Sequence, residues 1–184
     1  MRERPILFSG PMVRAIIEGR KTVTRRVVKP RDLAWMDEHQ GLREPCNAIR
    51  CPYGQTGDRL WVRETFAVYG NEKMAAIHYR ADRPHHVGQK GMGYKPSIHM
   101  PRWASRILLE ITAVRVERLQ DISQEQAMAE GVLSCESALD PDGNGYSPYE
   151  LFSALWVSIN GHDSWHANPW VWVVEFKRVE VGNG

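Results

Sequence analysis

The 184-residue chain has few cysteines: three, an odd number, in a chain long enough to build its own core. That excludes a disulfide scaffold and points to free thiols in a reducing compartment, so a cytoplasmic location is expected. Long apolar runs are missing as well. No stretch of 12 residues is free of polar groups, which excludes a membrane-spanning helix. The opening Met1-Arg2-Glu3-Arg4-Pro5 is not followed by the apolar stretch of a secretory leader. There is no internal repeat and no low-complexity linker, so one domain over residues 1–184 is expected. Positive charge is absent from a long interval: no Lys or Arg occurs between Arg118 and Lys177. Of the 24 Lys/Arg and 22 Asp/Glu, residues 1–118 hold 22 and 12, and residues 119–184 hold 2 and 10. Either the basic part attracts phosphate while the acidic part steers it, or the two parts pack together and neutralise one another.

The remaining composition, 42% hydrophobic and 25% charged, is that of an ordinary globular chain. Pro11–Glu18 reads as a helix, with Pro11 at its start, an apolar stripe of Met12, Ile16 and Ile17, and Gly19 at its stop. Lys21–Val28 reads as a strand ended by Pro30. A turn at Gly57-Asp58 leads into a strand Arg59–Phe66, and Ala75–Arg80 is a second short strand. Residues 81–101 show no period and read as a long loop. Arg106–Leu119 is the clearest β segment. Ser123 with Gln126, and Ser147 with Glu150, are capping boxes; the second opens a helix Tyr149–Ile159 with Leu151, Phe152, Leu155, Trp156 and Ile159 on one face. Trp170–Phe176 is apolar on both faces and so reads as a buried strand. Strands with irregular connections and three short helices give an α+β fold, expected as a small closed β-barrel with helices attached.

The most informative segment is Gly19-Arg20-Lys21-Thr22-Val23-Thr24-Arg25-Arg26, extended to Lys29 and Arg31. It places six basic residues and no acid within Arg20 to Arg31. Phosphate binding is one reason to gather cations here; guarding an exposed edge strand against aggregation is the other. Two threonines among the cations add hydroxyl donors that an edge guard does not need. Strand alternation sets Lys21 and Thr24 on opposite faces, so the chain must turn or bulge between them if they are to meet.

Gly19-Arg20-Lys21-Thr22-Val23-Thr24-Arg25 resembles the signature loop of the ASCH family of the PUA-like superfamily. Three further segments resemble that family: Gly57–Glu64, Ile122–Gly131 ending in Ala129-Glu130-Gly131, and Trp170–Phe176. The order of these pieces is closest to the longer, phage and prophage type of member, with insertions near 31–50, 81–100 and 132–148. The resemblance implies a PUA-like closed barrel and a cleft beside the signature loop that binds RNA or a modified nucleoside. Arg20, Thr22, Arg25, Arg26 and Arg63 would contact the ligand. Small members resemble amidohydrolases that remove an acyl group from acetylated cytidine. Their Lys, Thr and Glu map onto Lys21, Thr24 and Glu130. No cofactor, metal or membrane is implied. Arg25-Arg26 and the insertions depart from that pattern. Glu130 also reads as an ordinary helix-end carboxylate, and a third reading is a phage accessory protein that acts through a protein partner.

Chemically, Thr24 becomes a nucleophile if a base takes its proton, and Lys21 is that base only if its pKa falls from about 10.4 toward neutrality. Lesser signals carry less. Asp140-Pro141-Asp142-Gly143-Asn144-Gly145 imitates a calcium loop but has Leu151 where the bidentate Glu belongs. Cys46, Cys51, His162 and His166 are a formal zinc set split across more than 100 residues. Trp61 or Trp103 could stack on a base, and His85, His86 and His99 read as solvated.

Overall fold

The two longest strands, one of them apolar on both faces, lie side by side within the sheet. The computed structural model describes residues 1–30, 32–33, 50–69, 76–83 and 93–179. In chain order these form β1 (Glu3–Leu7), α1 (Gly10–Ile17), β2 (Val23–Val27), β3 (Arg59–Arg63), β4 (Phe66–Tyr69), β5 (Ala76–Tyr79), β6 (Leu108–Arg118), α2 (Gln124–Ala129), α3 (Glu136–Leu139), α4 (Pro148–Asn160) and β7 (Trp170–Val179), with short 3-10 turns between them. Five strands make a mixed sheet in the order β1-β3-β6-β7-β2; β4 and β5 form a separate antiparallel pair. Only the β1–β3 pairing in the larger sheet is parallel.

The expected closed barrel is not formed. Among the described residues β1 pairs with β3 alone and β2 with β7 alone, so the sheet stays open between β1 and β2. A side chain stands there instead of a backbone ladder: Arg26 Nη2 donates to the Leu7 carbonyl at 2.9 Å. The α+β class holds, and β3, β6 and β7 are neighbours in one sheet as expected.

β7 is buried on both faces, and its two-residue period divides the core. Trp172, Val174 and Phe176 pack with Ile6, Leu60, Leu109 and Ile111. Val171 and Val173 pack with Val23, Leu151, Phe152 and Trp156 on the other side. Each such side chain contributes about 1.5–3 kcal/mol when fully buried. Both capping boxes are present, opening α2 and α4. Along α4, Leu151, Phe152 and Trp156 are buried, but Ile159, expected on the same face, is 66% exposed.

The strand expected over Arg59–Phe66 breaks at Glu64-Thr65. The Glu64 amide turns to Met100 Sδ, and the buried Glu64 carboxylate takes Arg106 Nε at 2.9 Å. Arg106 also grips Asp82 at 2.7 Å and lies 3.9 Å over the Tyr79 ring, which fastens the β4–β5 pair to the main sheet. Burial raises the Glu64 carboxyl above its ordinary range even though Arg106 opposes the rise.

Candidate functional site

Lys21 and Thr22 lie outside the regular strand, and their backbone bonds explain why. α1 ends at Gly19, whose φ of 75° suits glycine. The Arg20 and Lys21 amides both return to the Ala15 carbonyl. The Thr22 amide donates to Ala129 O at the end of α2, and the Phe176 amide of β7 donates to Thr22 O. Regular pairing begins at Val23. Lys21 is therefore free of strand alternation, which meets the requirement for a turn between Lys21 and Thr24.

The Lys21 ammonium is 4% exposed and has three acceptors: Glu130 Oε2 at 2.7 Å, Val23 O at 2.8 Å and Glu130 O at 2.9 Å. Three acceptors match its three protons. The Val23 carbonyl belongs to the peptide that enters Thr24, so the amine sits against the backbone just before that residue. Desolvation by burial lowers the Lys21 pKa below the ordinary lysine value, outweighing the Glu130 carboxylate, which acts to raise it. Arg26 and Arg25 lower it further. Glu130 also serves Arg25, whose Nη1 lies 3.2 Å from Oε1. The second Arg25 amino group reaches Gln126 Oε1 at 2.8 Å and the Glu117 carboxylate. Arg115 Nε holds the other oxygen of Glu117 at 3.0 Å.

A cleft of about 90 Å³ opens beside β2, and Lys21, Thr24, Arg25, Arg26 and Glu130 line it. Met12 of α1 and Glu130, just past α2, line it together. The remaining wall comes from Phe8, from Val27 of β2, and from Phe152, Leu155, Trp156, Ile159 and Asn160 of α4. The cations stand over aromatic faces: Lys21 Nζ and Arg26 each lie 5.5 Å from the Phe8 centroid, and Arg25 lies 5.8 Å from Phe152.

The structure thus brings Lys21, Thr24, Glu130, Arg25 and Arg26 together and leaves three sequence candidates elsewhere. Arg20 is exposed and pairs with Glu18 and Ser134. Thr22 is exposed outside the cleft lining. Arg63 binds the carbonyls of Met100 and Ile98 and stacks 5.2 Å from Trp61, so it pins the 98–100 segment. The α4 wall and the second carboxylate, Glu117, were missed.

Among the described residues, no cluster of three His, Cys, Asp or Glu side chains is placed to hold a metal ion. Asp140 accepts the amides of Asn144 and Gly145, each at 2.9 Å, so it organises its own loop. Cys51 and Cys135 are free thiols. Cys46, His85 and His86 lie outside the described residues. No described helix is long and apolar enough to cross a membrane. No protein-family model matches the chain, and no curated protein or solved structure matches it either.

Proposed function

We propose that the cleft beside β2 binds a modified nucleoside and hydrolyses an acyl group from its exocyclic amine, as in acetylated cytidine. One observation carries this reading: the Lys21–Glu130 pair is buried at 2.7 Å in the wall of a small cleft that Thr24 also lines. In the proposed reaction the Thr24 hydroxyl oxygen attacks the acyl carbonyl carbon while neutral Lys21 takes the hydroxyl proton. The carbon–nitrogen bond then breaks, and Lys21 returns the proton to the leaving amine. Water attacks the resulting Thr24 ester, again giving a proton to Lys21. The ester carbon–oxygen bond breaks, the Thr24 oxygen is reprotonated, and the carboxylic acid leaves. The sum is amide plus water giving acid plus amine. Glu130 orients Lys21 and holds Arg25 beside it.

Size favours the acyl end of the substrate as the group that enters. About 90 Å³ is well below the roughly 150 Å³ of an apolar cavity that admits benzene. A nucleobase ring therefore stays at the mouth, where the half-exposed Arg26 and the exposed Val27 and Ile159 stand. Charge favours a small ligand over a polyanion at this position. Lys21 and Arg25 are buried against Glu130 and Glu117, so they offer phosphates little.

The test is a screen of acylated nucleosides, with acetylated cytidine first and chromatographic detection of the deacylated product. The proposal expects turnover on at least one of them, reduced about a hundredfold or more in Lys21→Arg, whose guanidinium is not a base near neutral pH. A wild-type protein that turns over none of them contradicts it.

A further inference from the structure

A second and larger cavity lies outside this cleft, between the start of β1, the loop 50–58, and the facing parts of β6 and β7. It encloses about 510 Å³, within the range of about 300–1,000 Å³ typical of small-molecule sites. Three arginines line it, Arg2, Arg4 and Arg50, and among the described residues its only acidic lining residue is Asp58. That carboxylate faces backbone donors: Asp58 Oδ1 accepts the Arg2 amide at 2.7 Å and Oδ2 accepts the Gln55 amide at 3.3 Å. Among the described residues none of the three guanidinium groups forms an ion pair with a carboxylate. Arg4 Nη1 donates to Pro52 O at 3.1 Å, which fixes that side chain against the loop.

Trp172 and Val114 supply the apolar part of the wall. The loop packs closely against its neighbours at Gly54. Its φ is 126°, and a Cβ there would lie 3.1 Å from Asp58 and from Ile111. Asp58 offsets part of the positive charge, that of the N-terminus and Arg4; the remaining like charges repel, and a bound anion removes that repulsion. Guanidinium groups present paired donors that match phosphate oxygens.

We propose that this cavity is an anion site for the phosphate groups of a phosphorylated ligand, held by Arg2, Arg4 and Arg50. It is independent of the proposed hydrolysis, because no residue is shared between the two cavity walls. The phosphate comes either from a free nucleotide or from a nucleic-acid backbone. The experiment is calorimetric titration of the full chain with pyrophosphate, a nucleoside 5′-monophosphate and a short single-stranded RNA, at low and at physiological salt. Saturable binding that weakens as salt rises is expected. Arg4→Gln and, on an exposed side chain that tests charge without risk to the core, Arg50→Gln should each weaken it about tenfold or more. Arg178→Gln, exposed and in neither cavity wall, should leave it unchanged. Saturation by pyrophosphate or the mononucleotide assigns a free nucleotide, and binding of the RNA alone assigns a backbone. No binding of any of the three, or binding that survives both arginine variants, overturns the proposal. Deacylation and phosphate binding are read separately, so either can fail without the other.

Discussion

The missing side chain of Gly131 makes the room that Lys21 occupies: a Cβ on Gly131 would lie 3.0 Å from the Lys21 Cβ and 3.0 Å from that of Ala15. Gly131 also has a φ of 80°, which costs other residues about 1–2 kcal/mol. Gly131→Ala is therefore expected to destabilise the fold by at least that amount and to displace Lys21 from Glu130. Urea denaturation reads the first effect and turnover the second. An alanine variant with unchanged midpoint and unchanged turnover would refute this account of the Ala129-Glu130-Gly131 end of α2.

Glu130 neutralises two buried cations at once. Removing one partner of a buried ion pair leaves a charge without compensation and costs about 3–5 kcal/mol. Glu130→Ala should lose stability on that scale. Glu130→Gln should lose less stability, because an amide oxygen still accepts from Lys21. It should lose much of the activity, because Lys21 and Arg25 are no longer balanced. A fully active, fully stable Glu130→Ala would show that the pair is dispensable.

How much of this was legible beforehand depended on how far apart the interacting residues lie in the chain. Ser123 with Gln126 and Ser147 with Glu150 act within one turn, and both capping boxes are found where the sequence put them. The buried character of β7 follows from its own residues. Barrel closure does not: it depends on whether the backbones of β1 and β2 pair, and a two-residue period says which faces are apolar, not which edges meet. By sequence, Lys21 and Thr22 read as strand residues because their neighbours favour one. Their amides bond instead to Ala15 and Ala129, partners that no local pattern encodes. Lys21, Thr24 and Glu130 could be named from motifs, whereas the union of Arg25 with Glu117 across 92 positions could not.

Acid should act on two other carboxylates. The Arg2 amide, with the Gln55 amide, holds the Asp58 pKa below its ordinary value, and the Asn144 and Gly145 donors do the same for Asp140. A carboxylate depressed in the folded state contributes stability that is complete above the unfolded value of about 3.9 and is lost as pH falls through the lower folded value. Melting temperatures of the wild type should drop through this acid window, and Asp140→Asn should show a shallower drop. An identical acid profile in the variant would remove Asp140 from the explanation.

Lys21 is a cation, yet the sign is the same, because its folded pKa is also lowered. Because burial lowers its pKa, the folded state binds this proton less readily than the unfolded chain does. Its contribution to stability therefore rises with pH through the interval between the lowered value and the ordinary 10.5. Turnover should rise with pH as the neutral amine forms, with a midpoint below 10.5. A rate that is flat with pH, or one that falls over that interval, would show that the neutral amine is not the acting form.

The central claim is that Thr24 is the nucleophile, and one substitution examines it most directly. Thr24→Val keeps the branched shape of this buried side chain and removes only its hydroxyl. Release of acetate from acetylated cytidine should be measured for the wild type and for this variant, with melting curves confirming that both are folded. The account predicts turnover in the wild type and none above background in a folded Thr24→Val; turnover in Thr24→Val at the wild-type rate would contradict it.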